Sequence, residues 1–141
     1  MNNTIFCENG EIMEQTQFIS VSKDSIESAL ITAFEQGSSY WARIDWDDER
    51  TKIGTDRTSR GMDPIYNSFQ KEWQMVFLDK ETGEELGLLN LEGIKKNMSA
   101  FNTWCNDGRA IYWRSFEDYG GDAIIADVAL QFWIMGKSVY G

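Results

Sequence analysis

The stretch Gly121–Gly141 runs G-D-A-I-I-A-D-V-A-L-Q-F-W-I-M-G-K-S-V-Y-G. Between Ala123 and Met135 every residue is apolar except Asp127 and Gln131. A helix that is apolar on all sides has to be buried, so the other elements must pack around it. It is too short to span a bilayer, which takes about 20 residues. Asp127 and Gln131 are four apart and share one helical face, leaving a single polar stripe on an otherwise greasy cylinder. Asp122 fits the N-cap, where a carboxylate meets free N–H groups and the positive end of the helix dipole.

Two further helices can be placed to pack against this one. From about Leu91 to Asn106, with Asn90 as cap, Leu91, Ile94, Met98, Phe101 and Cys105 form an apolar stripe. Gly93 weakens the first turn and permits close packing. From about Asp24 to Gln36, Ile26, Ala29, Leu30, Ala33 and Phe34 recur on one face, and Gly37 ends the helix. Asp24 with Glu27 fits a capping box, while Ser22 is an alternative cap.

The remaining signals are strands. Ile5–Glu8 and Glu11–Met13 flank Asn9-Gly10, a hairpin signal, and Gln17–Val21 offers a further strand. Tyr40, Ala42, Ile44 and Trp46 alternate with Arg43 and Asp45, which predicts a strand with Tyr40 on its buried face. Trp41 breaks that alternation, either as half-covered core or as an exposed stacking platform. Trp73–Leu78 reads as a strand buried on both faces, returning through Asp79–Glu84 to Leu86–Leu89. Ile111–Trp113 is a short strand or a connector, Glu117–Asp122 a turn, and Ser138–Tyr140 a final edge strand. The expectation is one α+β domain over residues 1–141, an antiparallel sheet of about four to six strands packed against three helices.

Composition narrows function. The formal charge is −10, which repels duplex nucleic acid, so direct nucleic-acid binding is not expected. Histidine is absent, which removes the Ser-His-Asp triad, the Cys-His pair and every histidine-ligated metal site. Cys7 and Cys105 have no motif spacing and read as reduced thiols of a cytoplasmic protein. Residues 1–21 lack a signal-peptide pattern, and no transmembrane segment is evident. Six Trp and the apolar terminal helix point to a homo-oligomer.

Three residue sets can carry a function. Asp127 must be paired or hydrogen-bonded if buried, by a Trp N–H, an Arg or backbone amides; otherwise, with Gln131, it lines a ligand pocket or a subunit interface. Tyr40, Trp41, Arg43, Arg57 and Arg60, with Arg109, Trp113 and Arg114 more weakly, combine rings that stack bases with guanidinium groups that pair phosphates. Arg57 and Arg60 belong to a long loop over residues 47–64, which also carries Arg50, Lys52 and Pro64 and reads as a solvated flap or an arm that closes on an anion. Asp45, Asp47, Asp48 and Glu49 form an acidic run without the spacing of a calcium loop; it is a solvated surface or a mimic of phosphates. No G-x-G-x-x-G or P-loop is present, and no cofactor is implied.

The segment Ala33-Phe34-Glu35-Gln36-Gly37-Ser38-Ser39-Tyr40-Trp41 and the tail Asp122-Ala123-…-Ala126-Asp127-Val128-Ala129-Leu130-Gln131-…-Gly136-…-Tyr140-Gly141 resemble a group of small phage and prophage proteins. Members read like A-x-E-G-G-x-x-Y-W near the start and D-A-x-x-A-D-x-x-L-Q-x-x-x-x-G-x-x-x-Y-G at the end. Here Gln36 stands where the group often has glycine. The resemblance covers both ends of the chain and implies a phage origin. In size and aromatic–arginine content the chain is also similar to phage sponges that antagonise Thoeris and CBASS defence by holding nucleotide signals. The expected function is therefore a non-enzymatic antagonist of host defence acting in the host cytoplasm. Its ligand would be a small nucleotide signal held by Tyr40, Trp41, Arg43, Arg57 and Arg60 over a floor of Asp127 and Gln131. The alternative is an acidic anti-CRISPR or anti-restriction protein that uses Asp45, Asp47, Asp48 and Glu49 to block a nucleic-acid-binding surface of a host complex. A third reading is a metal-dependent hydrolase built on carboxylates.

Overall fold

The computed structural model describes residues 4–6, 11–14, 19–52, 73–107 and 110–141. Cys7, the Asn9-Gly10 turn, Arg57, Arg60, Pro64 and Arg109 lie outside the described residues. The fold is α+β, as expected, but its strands fall into two three-stranded antiparallel sheets. The first sheet is ordered β1 (Thr4–Phe6), β2 (Glu11–Glu14), β3 (Ile19–Ser22), with Ile5 opposite Met13 and Ile12 opposite Val21. The second is ordered β4 (Ala42–Ile44), β5 (Gln74–Asp79), β6 (Glu85–Asn90). Met75, Val76 and Phe77 at the centre of β5 are all buried, so this middle strand is covered on both faces.

Among the described residues four helices accompany the sheets. β3 runs directly into α1 (Lys23–Thr32), capped by Ser22, whose hydroxyl accepts from Ser25 N at 3.1 Å. A turn of π-helix, Ala33–Gly37, extends it. β6 runs directly into α2 (Leu91–Asn106), where the Asn90 side chain accepts from Gly93 N at 2.7 Å. Of the predicted stripe, Ile94, Met98, Phe101 and Cys105 are fully enclosed, while Leu91 at the start of the helix is half-buried. Burial in apolar surroundings pushes the Cys105 thiol up to about 12, so it is a packing residue and not a nucleophile.

α3 (Ala110–Tyr119) occupies the stretch whose beginning reads in sequence as a short strand or connector and whose end reads as a turn. It takes helical form because Trp113 and Phe116, three apart, both reach the ring of Phe101 on α2, at centroid distances of 6.0 and 5.0 Å. Segment 138–140 forms no strand.

α4 (Ala123–Met135) is the predicted central helix, capped by Asp122 and ended by Gly136 in the left-handed conformation that glycine adopts without a Cβ penalty. It packs against α1, α2, α3, the π turn and β6. Nine consecutive residues, Ile125 to Trp133, are buried. Among the described residues no helix is long and apolar enough to cross a membrane.

Gly93 shows how close the α2–α4 contact is. A Cβ there would lie 2.8 Å from Trp133 O and 3.2 Å from Asn90 Oδ1. Intrinsic propensity favours Ala over Gly in a helix by about 1 kcal/mol, whereas overpacking against backbone costs about 1–3 kcal/mol. Gly93→Ala is therefore expected to lower the urea midpoint. A raised midpoint would show that α2 is free to shift away from α4.

Candidate functional site

The two segments singled out in the sequence, 33–41 and 122–141, are far apart in the chain and meet in space. Gly37, at the end of the π turn, lies so close to the start of α4 that a Cβ would sit 2.8 Å from Ala123 O. The chain then turns through Ser38–Trp41, with Trp41 N and Ala42 N both donating to Ser38 O, before β4 begins. That turn points three donors at Asp127, which is 7% exposed. Ser38 Oγ and Trp41 Nε1 donate to Oδ1 at 2.7 and 2.6 Å, and Tyr40 Oη donates to Oδ2 at 2.7 Å. Gln131 Nε2, one helical turn on, also donates to Oδ2 at 3.2 Å. Four donors offset the cost of burying the carboxylate.

Gln131 continues the network into the tail. Its Oε1 accepts from Val139 N and Tyr140 N at 2.7 and 2.8 Å. This side-chain clamp satisfies backbone groups that an edge strand would have paired. The Tyr140 ring stacks on Trp41, with centroids 4.8 Å apart and planes at 11°. Its hydroxyl donates to Asp79 Oδ2 at 2.7 Å. Asp79 also accepts from Glu81 N and Thr82 N, and these bonds hold its carboxyl below the usual range.

Burial therefore runs opposite to the sequence expectation at two positions. Trp41 is 2% exposed and Tyr40 50% exposed, because both precede β4 and lie in a turn to which strand alternation does not apply. Trp41 is core and not a stacking platform. Asp127 and Gln131 spend their polar atoms on the protein itself.

Arg43, by contrast, is exposed and borders a cleft of about 250 Å³ lined by Phe34, Ser38, Ser39, Ile44, Trp46 and Phe77. Phe34 and Phe77 meet edge to face at 5.8 Å. Sequence reasoning did not single out Phe34, Trp46 or Ser38 as site residues. Phe34 was absorbed into the apolar face of the first helix and Trp46 into the alternation of β4, so neither carried a separate signal. Tyr40 and Asp127 border a second cleft, of about 450 Å³, with Trp104, Ile124, Val128 and Tyr140. Arg114 and Trp113 are on α3, away from both linings.

The acidic run folds on itself. Asp45 Oδ1 accepts from Asp47 N, and Asp48 Oδ1 accepts from Arg50 N. The Arg50 guanidinium pairs with both Asp48 and Glu85. Thr51 Oγ1 closes the turn on Asp45 O at 2.8 Å. Of the four acids, Asp47 and Glu49 are exposed and Asp45 and Asp48 half-buried. Among the described residues no group of three or more Cys, Asp or Glu side chains is placed to hold a metal ion.

Comparison of the chain with protein-family models, with curated proteins and with solved structures gave no match.

Two outcomes follow from the Asp127 network. Asp127→Asn turns a four-fold acceptor into a group with one acceptor oxygen and an amide facing donors, and is expected to cost about 3 kcal/mol or more; urea unfolding measures it. Tyr40 is also raised, from an ordinary 10.0 to about 12, by burial first and then by its bond to Asp127. A raised folded-state value favours the folded state in full below pH 10, and the contribution is lost between pH 10 and 12. The difference in tyrosinate absorbance between wild type and Tyr40→Phe is expected to appear near pH 12. Its appearance near pH 10 would mean that the Asp127 bond is not formed.

Proposed function

We propose that the chain is a phage-encoded, non-enzymatic binding protein that antagonises host defence by holding a small nucleotide signal. The observation that carries this reading is the cleft beside β4, where Phe34, Ile44, Trp46 and Phe77 form an aromatic-rich wall and Arg43 stands at the edge. Flat apolar walls with a few placed polar groups suit a base, and a guanidinium suits a phosphate. Phe34 and Trp46 take the place of Trp41 as the ring surfaces. Asp127 and Gln131 hold the wall of the site in position through Ser38, without touching ligand. Arg57 and Arg60 lie outside the described residues and carry no part of this argument. Phage origin rests on the two sequence segments quoted above, and defence antagonism on the size and aromatic–arginine content of the chain.

The acidic-blocker reading draws on the formal charge of −10. It is the weaker one, because Asp45 and Asp48 are half-buried and engaged in their own turn. A homo-oligomer remains part of the proposal. Ile111, Tyr119 and Ile124, each more than half exposed, are its support.

Native mass spectrometry of the purified protein with a panel of linear and cyclic nucleotides reports both ligand and stoichiometry. A nucleotide retained at unchanged mass is expected. Arg43→Gln and Trp46→Ala should each weaken it about ten-fold or more, since one base–aromatic stack contributes about 1–3 kcal/mol. No retained nucleotide, together with salt-sensitive capture of a basic host complex, would overturn the proposal in favour of the acidic blocker.

A further inference from the structure

We infer that a second ligand, a small quaternary ammonium ion, binds the cleft between the start of α4, the end of α2 and the C-terminal tail. This cleft of about 450 Å³ shares no lining residue with the one beside β4, and it falls in the usual range of about 300–1,000 Å³ for small-molecule sites. Tyr40, Trp104, Ile124, Val128 and Tyr140 give it a largely apolar lining. Val139 stands between the lining residues Ser138 and Tyr140. Tyr40, Ile124 and Val139 are 50%, 68% and 52% exposed, and they are three of the five large apolar side chains that the described residues leave in solvent. Exposed apolar groups gathered at one cleft mark a contact surface. Trp104 stacks on Tyr112 and Tyr140 on Trp41, so Tyr40 is the ring with most surface to offer.

Charge and hydrogen bonding select the ligand. Among the described residues Asp127 supplies the one charged side chain of the lining, and no Lys or Arg borders the cleft. The donors to Asp127, from Ser38, Tyr40, Trp41 and Gln131, are all neutral. They lower the cost of burying the charge without cancelling it, and among the described residues no ion pair cancels it either. A buried charge is screened far less than an exposed one, so this wall of the cleft stays negative. Asp122 adds an acid where α4 begins, and its Oδ1 accepts from Ile125 N at 2.9 Å, so the helix N-terminus already holds its anion. A phosphate is repelled here and a cation drawn in. The kind of cation follows from the lone pairs. Each carboxylate oxygen has about two acceptor sites, and each already takes two donors: Oδ1 from Ser38 and Trp41, Oδ2 from Tyr40 and Gln131. A metal ion or a primary ammonium needs such a site and would have to displace a donor. A quaternary ammonium has no N–H to satisfy. It is held by the field of the carboxylate, by contact of its methyl groups with the apolar lining, and by attraction to an aromatic ring. Tyr40 suits that part, since a phenol that donates to a carboxylate carries more electron density on its ring.

The test is titration of the full chain with choline at low ionic strength, read by calorimetry and by NOEs from the choline methyl protons. Two compounds serve as controls: 3,3-dimethyl-1-butanol, which has the shape of choline without its charge, and ethanolamine, the primary ammonium counterpart. Choline is expected to bind about ten-fold tighter than either, with NOEs to Tyr40 and Ile124. Ile124 is exposed, so its replacement is expected to leave the fold intact. Ile124→Lys places a cation at the rim and should weaken choline about three- to ten-fold more than Ile124→Gln does, while the two variants bind the neutral alcohol alike. Tyr40→Phe keeps the ring and vacates an acceptor site on Asp127, so ethanolamine should gain affinity and the preference for choline should narrow. Absence of choline binding, NOEs confined to other residues, or equal binding of choline and the alcohol would overturn the proposal. Equal effects of Ile124→Lys and Ile124→Gln on choline would overturn it too. Ethanolamine binding as tightly as choline, or a preference unchanged in Tyr40→Phe, would overturn the quaternary assignment. None of these outcomes touches the nucleotide reading, which concerns the other cleft.

Discussion

The buried carboxylate of Asp127 is the constraint on which the rest of this structure depends. A charge inside an apolar helix bundle costs several kcal/mol even after relaxation, unless donors surround it. Here the donors come from two places: Ser38, Tyr40 and Trp41 from the turn before β4, and Gln131 from the same helix. None of these can move without leaving the charge under-solvated. The π turn, the first residues of the second sheet and the C-terminal tail are therefore set relative to α4 by a single group. Such networks resist piecemeal change, because a half-satisfied one is worse than an apolar core.

The network also decides which surfaces are left for binding. Trp41 donates from its ring edge to Asp127 and stacks one face on Tyr140, so the largest aromatic before β4 is withdrawn from solvent. Ser38 turns its hydroxyl to Asp127 and also lines the β4 cleft. Lys80 N donates to Trp41 O at 2.8 Å, which ties the β5–β6 turn to the same turn before β4. Rigid support of this kind lowers the ordering cost of ligand binding. Ser38, Trp41, Asp127 and Gln131 thus act as scaffold, and the candidate contacts are their neighbours.

How much of this was legible in sequence follows from the range of each interaction. α2 and α4 match their expected spans because their caps, stripes and terminating residues are local signals. The β5–β6 hairpin is local too. α3 was not legible, since its helical form depends on rings of α2 that lie elsewhere in the chain. The division into two sheets is likewise a tertiary matter. At the site, the need for Asp127 to find donors could be read from its apolar surroundings, and a Trp N–H stood among the candidates. Gln131, four residues on, shared its face, but that Ser38, Tyr40 and Trp41 supply the other donors could not be read, because they lie 86 to 89 positions away. Strand alternation carried too far back assigned Tyr40 to the core and Trp41 to the surface, whereas the turn at Ser38 resets the pattern.

In a chain with 23 acidic and 13 basic side chains, carboxylates outnumber cations and a cation has an ample choice of partners. Arg50 illustrates the outcome: it is clasped by Asp48 and Glu85 together. Arg43 and Lys80 make a contrast. Glu81 and Glu84 are on the adjoining turn, yet among the described residues no carboxylate comes within ion-pair distance of either cation. Surface ion pairs are worth little, so stability gives scant reason to form or avoid them. The difference is one of reach: the Arg50 guanidinium meets carboxylates of two segments at once, whereas Arg43 extends over Gly83 and Lys80 donates to Ser39 O instead.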